Sequence, residues 1–460
     1  MKTGFIKYLD YKYKFNYKNC ELTTSDYGKE CILEDIIIES KKRPTNFYIG
    51  EELFENQKLV FYKRAGFPQI SNIQKHHINM MIAFDKFKNE SIKTIEISFK
   101  ELTYFYGKDN FIAEYTEGTN TEIKGTYRLK SNTYSKTDSD EFYIIIDGKK
   151  IKYQIIVDRK LHIRKLDRAN IFDMNTYIQF YYDFDEDYEL IYKIILYLKK
   201  LFSYLNYRKN ISFDKIITKT LYDDNLYVKN GEIEFYYGDD VIMPSDEEEL
   251  KKHFIGFKYV KNNLSNIFQD IIDEKIFIRN MPYNQFKRNQ VSADRVVMVT
   301  SALEKEFKLS FPKGIIHKKE TRDARKKIDD LFEILKRDSE FNSDERKILI
   351  DAQKAIYFES LETLINQCYK SNKKVIDIFG KRLADINGLE YKPTNWIKAY
   401  SKLRNGFAHG EVNLDYSNDS MLGVLYTERL IYIMQLRRTG LNEKEIIGAL
   451  NNLFERFLTD

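Results

Sequence analysis

Cysteine is scarce in this chain. Cys20, Cys31 and Cys368 are the only three in 460 residues, too few for a disulfide framework, and none sits in a C-x-x-C pair. A reducing, cytoplasmic setting is the expectation. Proline is scarce as well, and six residues exclude long polyproline or linker segments. No apolar run approaches the ~18–20 residues of a bilayer span. Residues 1–7 (MKTGFIK) carry no apolar signal region. Neither a transmembrane nor a secreted protein is expected. An excess of one charge is missing too. Lys and Arg number 75 against 70 Asp and Glu, a net charge of +5, which does not by itself announce a polyanionic partner. The balance holds locally, with 29 basic and 26 acidic residues over 291–460. Also absent are the G-x-x-x-x-G-K-[ST] phosphate loop, G-x-G-x-x-G, H-E-x-x-H and G-x-S-x-G.

What is present is enough chain for two to four domains, with 43% apolar residues to fill their cores. Tyr (35) and Phe (32) are abundant beside a single Trp, read first as compositional bias and second as base-stacking surface. The first half reads as strands: residues 30–39, 58–64, 94–99, 110–115 and 122–130 are β-branched or aromatic runs with partial alternation. Residues 142–147 and 150–157 flank Asp147-Gly148, a type I′ hairpin signal. Asn230-Gly231 marks a second such hairpin, between residues 225–228 and 232–237. Residues 131–141 are polar and turn-like, so an exposed loop is expected. An antiparallel sandwich or open barrel follows from many short strands.

Near Asp185 the period changes. Residues 188–207 predict a helix packed on the sheet. The acidic run 245–249 reads as the start of a helix. From about Leu264 onward the chain reads as helical: 292–309, a basic polar connector 317–327, one long helix over 343–369, then 394–410, 422–438 and 443–458. Asn442 and Glu445 fit a capping box, and Gly440 a C-terminal cap. The fold class expected is α+β, a β-rich, sandwich-like N-terminal domain with an inserted helix, then an all-α bundle. The domain limits are 1–185, a mixed continuation or connector over 186–289, and 290–460.

Several side-chain clusters read as structural. His76-His77 lacks carboxylate or thiol spacing for a metal. His162 and His253 lie in ordinary strand and helix contexts. Asp183, Asp185 and Glu186 read as a solvated loop. No metal site and no cofactor are expected. One stretch differs: Arg404-Asn405-Gly406-Phe407-Ala408-His409-Gly410. A histidine that titrates near neutrality can move the proton of a ribose 2′-hydroxyl or of the leaving 5′-oxygen. An arginine can hold the phosphate and offset the charge that gathers on it. On a regular helix residues five apart lie about 140° apart. Either Gly406 distorts the helix, or each residue works with a counterpart on a second subunit.

The string resembles the R-N-x-x-A-H-G form of the HEPN ribonuclease motif. Residues 295–307 (RVVMVTSALEKEF) resemble the first HEPN helix of ApeA-type anti-phage proteins, and 426–436 with 441–449 resemble that family's C-terminal helices. The β-rich first part is similar in layout to the ApeA N-terminal region. The resemblance covers roughly 290–460. It implies a helical HEPN bundle, a homodimer or higher homo-oligomer with a composite site, and Arg404 and His409 as catalytic pair. Asn405 would orient His409 or the phosphate, and Glu304 on the first helix would position one of the pair or be an ordinary surface residue. Candidate RNA-binding cations are Lys318, Lys319, Arg322, Arg325, Lys326 and Lys402. Tyr400 and Phe407 are candidate base stackers, with burial the alternative. The implied function is metal-independent endoribonuclease activity in anti-phage abortive infection, on RNA such as tRNA, released by a phage-derived trigger that the N-terminal domain senses. The rival readings are a non-catalytic HEPN-like dimerisation module and a ligand-binding regulator.

Overall fold

The computed structural model describes residues 1–8, 11–26, 46–55, 57–64, 73–85, 90–107, 137–138, 140–161, 172–223, 226–237, 250, 252–288, 290–315, 317–337, 341–356, 359–411 and 416–454. Two compact units divide the chain. One holds Met1–Ile272, Tyr283–Gln285 and Asn451–Asp460, the other Asp273–Pro282 and Phe286–Leu450. The segments 30–39, 110–115, 122–130 and 245–249, with His162 and most of 131–141, lie outside the described residues.

The first unit is built on strands β1 (Lys2–Tyr8), β2 (Tyr11–Lys18), β3 (Glu21–Asp26), β4 (Phe47–Glu52), β5 (Lys58–Tyr62), β6 (Ile73–His77) and β7 (Met80–Phe84). They are followed by β8 (Thr94–Ser98), β9 (Thr137–Asp138), β10 (Phe142–Ile146), β11 (Lys149–Leu161), β12 (Phe172–Tyr181), β13 (Lys215–Asp223) and β14 (Leu226–Phe235). Among the described residues these pair into one path, β10-β11-β12-β8-β13-β14-β7-β5-β4-β1-β2-β3-β6, with β9 added beside β11. Every pairing along it is antiparallel. The antiparallel, β-rich first unit is as expected, and its described strands pair into a single hydrogen-bonded sheet. The polar stretch expected as a loop contributes β9, opposite Ile156 and Val157. Central β5 and β7 are buried almost throughout, whereas β10 alternates, with Phe142, Ile144 and Ile146 buried.

The two hairpin signals part company. Asp147 and Gly148 take φ of 50° and 77° between β10 and β11, as a type I′ turn requires. Asn230-Gly231, in contrast, lies inside β14. The β13–β14 register slips at Thr218/Lys219, so Asn230 is the extra residue of a bulge. Its buried side chain accepts from Thr218 Oγ1 (2.8 Å) and donates to Ser91 O (2.9 Å). A Cβ on Gly231 would stand 2.8 Å from both Ala83 O and Thr218 Oγ1, which explains glycine there without a turn.

Helix α1 (Tyr188–Leu205) begins at Asp187, whose carboxylate accepts from the Leu190 amide at 3.2 Å. It packs on the sheet through aromatic pairs: Phe47–Tyr188, Tyr62–Tyr192 and Phe99–Phe202, the last with centroids 4.5 Å apart. The first and last are the edge-on contacts such rings prefer, and Tyr62–Tyr192 is tilted at 34°. Helix α2 (Leu264–Ile272) covers the outer edge of β10. The Ile145 amide donates to Gln269 Oε1 (2.8 Å), and Gln269 Nε2 donates back to Ile145 O (3.1 Å). Thus α1, α2, β13 and β14, all within 186–289, belong to the sheet unit.

The second unit contains α3 (Ala293–Ser310), α4 (Lys319–Arg337), α5 (Ser343–Ile356), α6 (Leu361–Ile386), α7 (Pro393–Ala408), α8 (Asn418–Arg438) and most of α9 (Glu443–Phe454). Two expectations need correction. The basic connector 317–327 is the first half of α4, because Lys, Arg and Ala are good helix formers. The long helix 343–369 is two helices, and Ser360 restarts the chain by capping the Thr363 amide at 3.2 Å. The Asn442–Glu445 capping box forms in both directions, at 2.9 and 3.0 Å. Helix α8 is buried on all sides, with Leu422, Tyr426, Leu430, Ile433 and Leu436 in the core, and packs against α3, α6 and α7.

Candidate functional site

Helix α7 starts with Pro393 in its first turn, where a missing N–H costs nothing. Trp396, Tyr400 and Leu403 form its buried stripe. The Tyr400 hydroxyl lies 2.8 Å from Thr300 Oγ1 and donates to Val296 O at 3.3 Å; burial holds the phenol well above its usual range. Tyr400 is therefore core, not a base-stacking surface. Phe407 is half-buried, its ring 5.8 Å from that of Tyr416.

The helix runs regularly through Gly406 and stops at Ala408. His409 is the C-cap residue, and Gly410 follows with φ 75°. The Glu411 amide donates to Gly406 O (3.0 Å) and the Gly410 amide to Phe407 O (3.2 Å). Together these bonds form a Schellman stop, which needs a left-handed residue after the cap. Arg404 and His409 therefore do not stand 140° apart on one regular helix, because the helix ends between them. Gly406 introduces no distortion; the chain leaves the helix at the histidine instead. The His409 side chain is exposed, and no side-chain hydrogen bond or ion pair holds it among the described residues.

Arg404 is partly exposed one turn earlier. Its Nη1 donates to Asn405 Oδ1 at 3.3 Å, and its Nη2 stands 3.8 Å from Glu304 Oε1 on α3. The structure thus brings Arg404, Asn405 and Glu304 together. Lys402 is exposed but lies about 200° around α7 from Arg404. The other basic candidates are on or just before α4. Lys318, Lys319, Arg322 and Lys326 are exposed. Arg325 Nη2 and His317 Nε2 both stand 2.8 Å from Glu359 Oε1, and Arg325 Nη1 is 2.8 Å from His317 Nε2. Glu359 meets the charge of Arg325, leaving it less free for a phosphate than its neighbours.

Sequence reasoning missed the ion pairs that fix α3, the helix carrying Glu304. Arg295 Nε and Nη2 reach Glu428 Oε1 and Oε2 at 2.9 and 2.8 Å, while its Nη1 donates to the carbonyls of Lys287, Arg288 and Gln290. Arg438 grips Glu306 in the same two-pronged way, at 2.9 and 3.0 Å. A signal existed: Glu306 stands between the apolar Leu303 and Phe307, and Glu428 inside an apolar run. A charge within a buried stripe calls for a partner.

The remaining clusters are structural. His76 is buried in β6, and burial with the nearby Lys63 lowers its pKa to about 4. His77 packs edge-on against Tyr236 at 3.9 Å. Asp183 and Asp185 bind Lys93 at 2.7 and 2.9 Å. His253 lies in a bend, not a helix, with Nδ1 3.1 Å from Leu453 O. Among the described residues no group of three or more His, Cys, Asp or Glu side chains could hold a metal ion, and no helix is long and apolar enough to cross a membrane. Comparison with family models, curated proteins and solved structures returns no match.

Proposed function

We propose that this chain is a metal-independent endoribonuclease of the HEPN type. The observation that carries the reading is His409, an exposed imidazole at the end of α7, one turn beyond an arginine held between Asn405 and Glu304. In the proposed reaction an imidazole removes the proton of a ribose 2′-hydroxyl. The 2′-oxygen attacks the adjacent phosphorus, the bond to the 5′-oxygen breaks, and that oxygen takes a proton. The products are a 2′,3′-cyclic phosphate and a 5′-hydroxyl. Arg404 offsets the charge on the phosphoryl oxygens, and the internal nucleophile needs no metal activation. One imidazole cannot be base and acid in the same displacement, so a second copy of the chain would supply the other. Lys318, Lys319, Arg322 and Lys326 would hold the RNA backbone.

By the same reading the protein acts in the cytoplasm in anti-phage abortive infection, and the sheet unit senses the trigger. The test compares RNA degradation by wild type, Arg404→Ala and His409→Ala in EDTA, scoring 2′,3′-cyclic phosphate ends. Loss of about 100-fold or more in both variants is expected. Unchanged cleavage in both overturns the reading and leaves a binding module.

A further inference from the structure

Tyrosines of the helical unit are anchored by their hydroxyls. That of Tyr391 donates to Asp377 Oδ1 at 2.7 Å and lies 3.3 Å from that of Tyr426, and that of Tyr400 lies 2.8 Å from Thr300 Oγ1. A phenol taken out of water usually finds such a partner. Tyr416 differs. Among the described residues it is the one exposed tyrosine of this unit, at 37%. Its neighbour is another ring, that of Phe407, 5.8 Å away and tilted at 56°. One ring so placed covers a tyrosine from one side and leaves the remainder to solvent.

The place of this ring sets it apart. Phe407 follows Arg404 by three residues on α7, so the two side chains are surface neighbours, about 5–6 Å apart at Cβ. Two residues further on, His409 ends the helix. Tyr416, through Phe407, thus flanks the guanidinium that would hold the scissile phosphate, within the reach of a single nucleotide. Charge decides what the ring can hold. Arg404 is the single Lys or Arg in residues 404–416, which also contain Glu411 and Asp415. Glu304 stands 3.8 Å from its guanidinium. Attraction to phosphates is therefore weak at this end of α7, and RNA held here needs a contribution that does not depend on charge. Stacking of a base on an aromatic ring supplies one.

We infer that Tyr416, backed by Phe407, is a stacking platform for one unpaired nucleobase, next to the phosphate at Arg404. Its role rests on the proposed reading of Arg404 and His409, and adds to it a residue that selects which nucleotide reaches them. A base inside a duplex has both faces covered by its neighbours, so the platform takes bases that are splayed out. A purine, with the larger ring, gains more than a pyrimidine.

The test uses the full chain in EDTA, with His409→Ala as background to prevent cleavage. Filter binding compares a short purine-rich single-stranded RNA with a ribose-phosphate oligomer of equal length that carries no bases. Tyr416→Ala is expected to weaken RNA binding about 5- to 100-fold, and Tyr416→Phe to keep it within about twofold, because any aromatic face stacks. Neither variant should alter binding of the base-free oligomer or the helical circular dichroism. RNA binding indifferent to Tyr416→Ala overturns the inference. So does an equal loss for the base-free oligomer, which would make Tyr416 a support of the fold or a backbone contact, and so does a protein that binds no RNA. Cleavage with His409 intact is scored separately. Binding that depends on Tyr416 and on the base, without any cleavage, keeps the platform and removes the nuclease reading alone.

Discussion

Arg295 and Glu428 form a two-pronged ion pair, 2.9 and 2.8 Å long, with the carboxylate wholly buried. It ties α3 to α8 inside the helical unit, and the third nitrogen of the guanidinium closes the chain that leads into α3. Removing one partner of such a pair leaves a buried charge uncompensated, so Glu428→Leu should cost about 3–5 kcal/mol in denaturant unfolding. Arg295→Met combined with Glu428→Leu should recover much of that loss, because both charges then disappear. Equal instability of single and double variants would contradict this account.

Gly410 holds a positive φ that other L-residues resist, and the Schellman stop depends on it. Gly410→Ala should lower stability by about 1–2 kcal/mol. Under the proposed function it should also reduce RNA cleavage, since the displaced cap is His409. A thermal melt beside a cleavage assay separates the two effects.

Glu304 and Arg404 are both partly exposed, and 3.8 Å separates them. Their attraction is screened by water, so Glu304→Gln should change stability by less than about 1 kcal/mol. Because a phosphate must compete with that carboxylate for Arg404, RNA binding by Glu304→Gln should be tighter, or at least no weaker. Filter binding with a catalytically inactive His409→Ala background measures this. Weaker binding would mean that Glu304 positions Arg404 instead of competing for it.

Burial, and secondarily Lys63, lowers the His76 pKa to about 4 from an ordinary 6.5. The unfolded chain therefore takes up the proton first. The contribution is intact above pH 6.5 and is lost as pH falls through about 4, on the order of 3 kcal/mol in full. His76→Phe should flatten the acid limb of the sheet unit's stability over that window. Identical pH profiles for variant and wild type would refute the assignment.

The sequence was most readable where one local rule acted alone. Asp147-Gly148 has no option but a tight turn. Tyr188–Leu205 and the Asn442 capping box carry complete helical patterns within their own residues. Asn230-Gly231 shows the same turn chemistry overridden by tertiary structure, since the sheet needs a bulge at Asn230 and a missing side chain beneath Ala83 O. The strand order of the sheet was not legible, because it is set by pairings such as β8 between β12 and β13, which no local pattern encodes. At the candidate site the residue types were visible, and the nearness of Glu304 to Arg404 followed from the first-helix position. The exit of the chain at His409 was not foreseen, although Gly410 advertised it. Helical periodicity was extended two residues too far, to Gly410 instead of Ala408.

Gln269 completes the hydrogen bonding of Ile145 from both sides. That side chain mimics the amide pattern of a neighbouring strand and leaves no vacancy for a real one at this residue of β10. Templated addition of an extended segment from another molecule, the route to edge-to-edge aggregation and cross-β growth, is thereby blocked at this end of the sheet. Shortening Gln269 would reopen it.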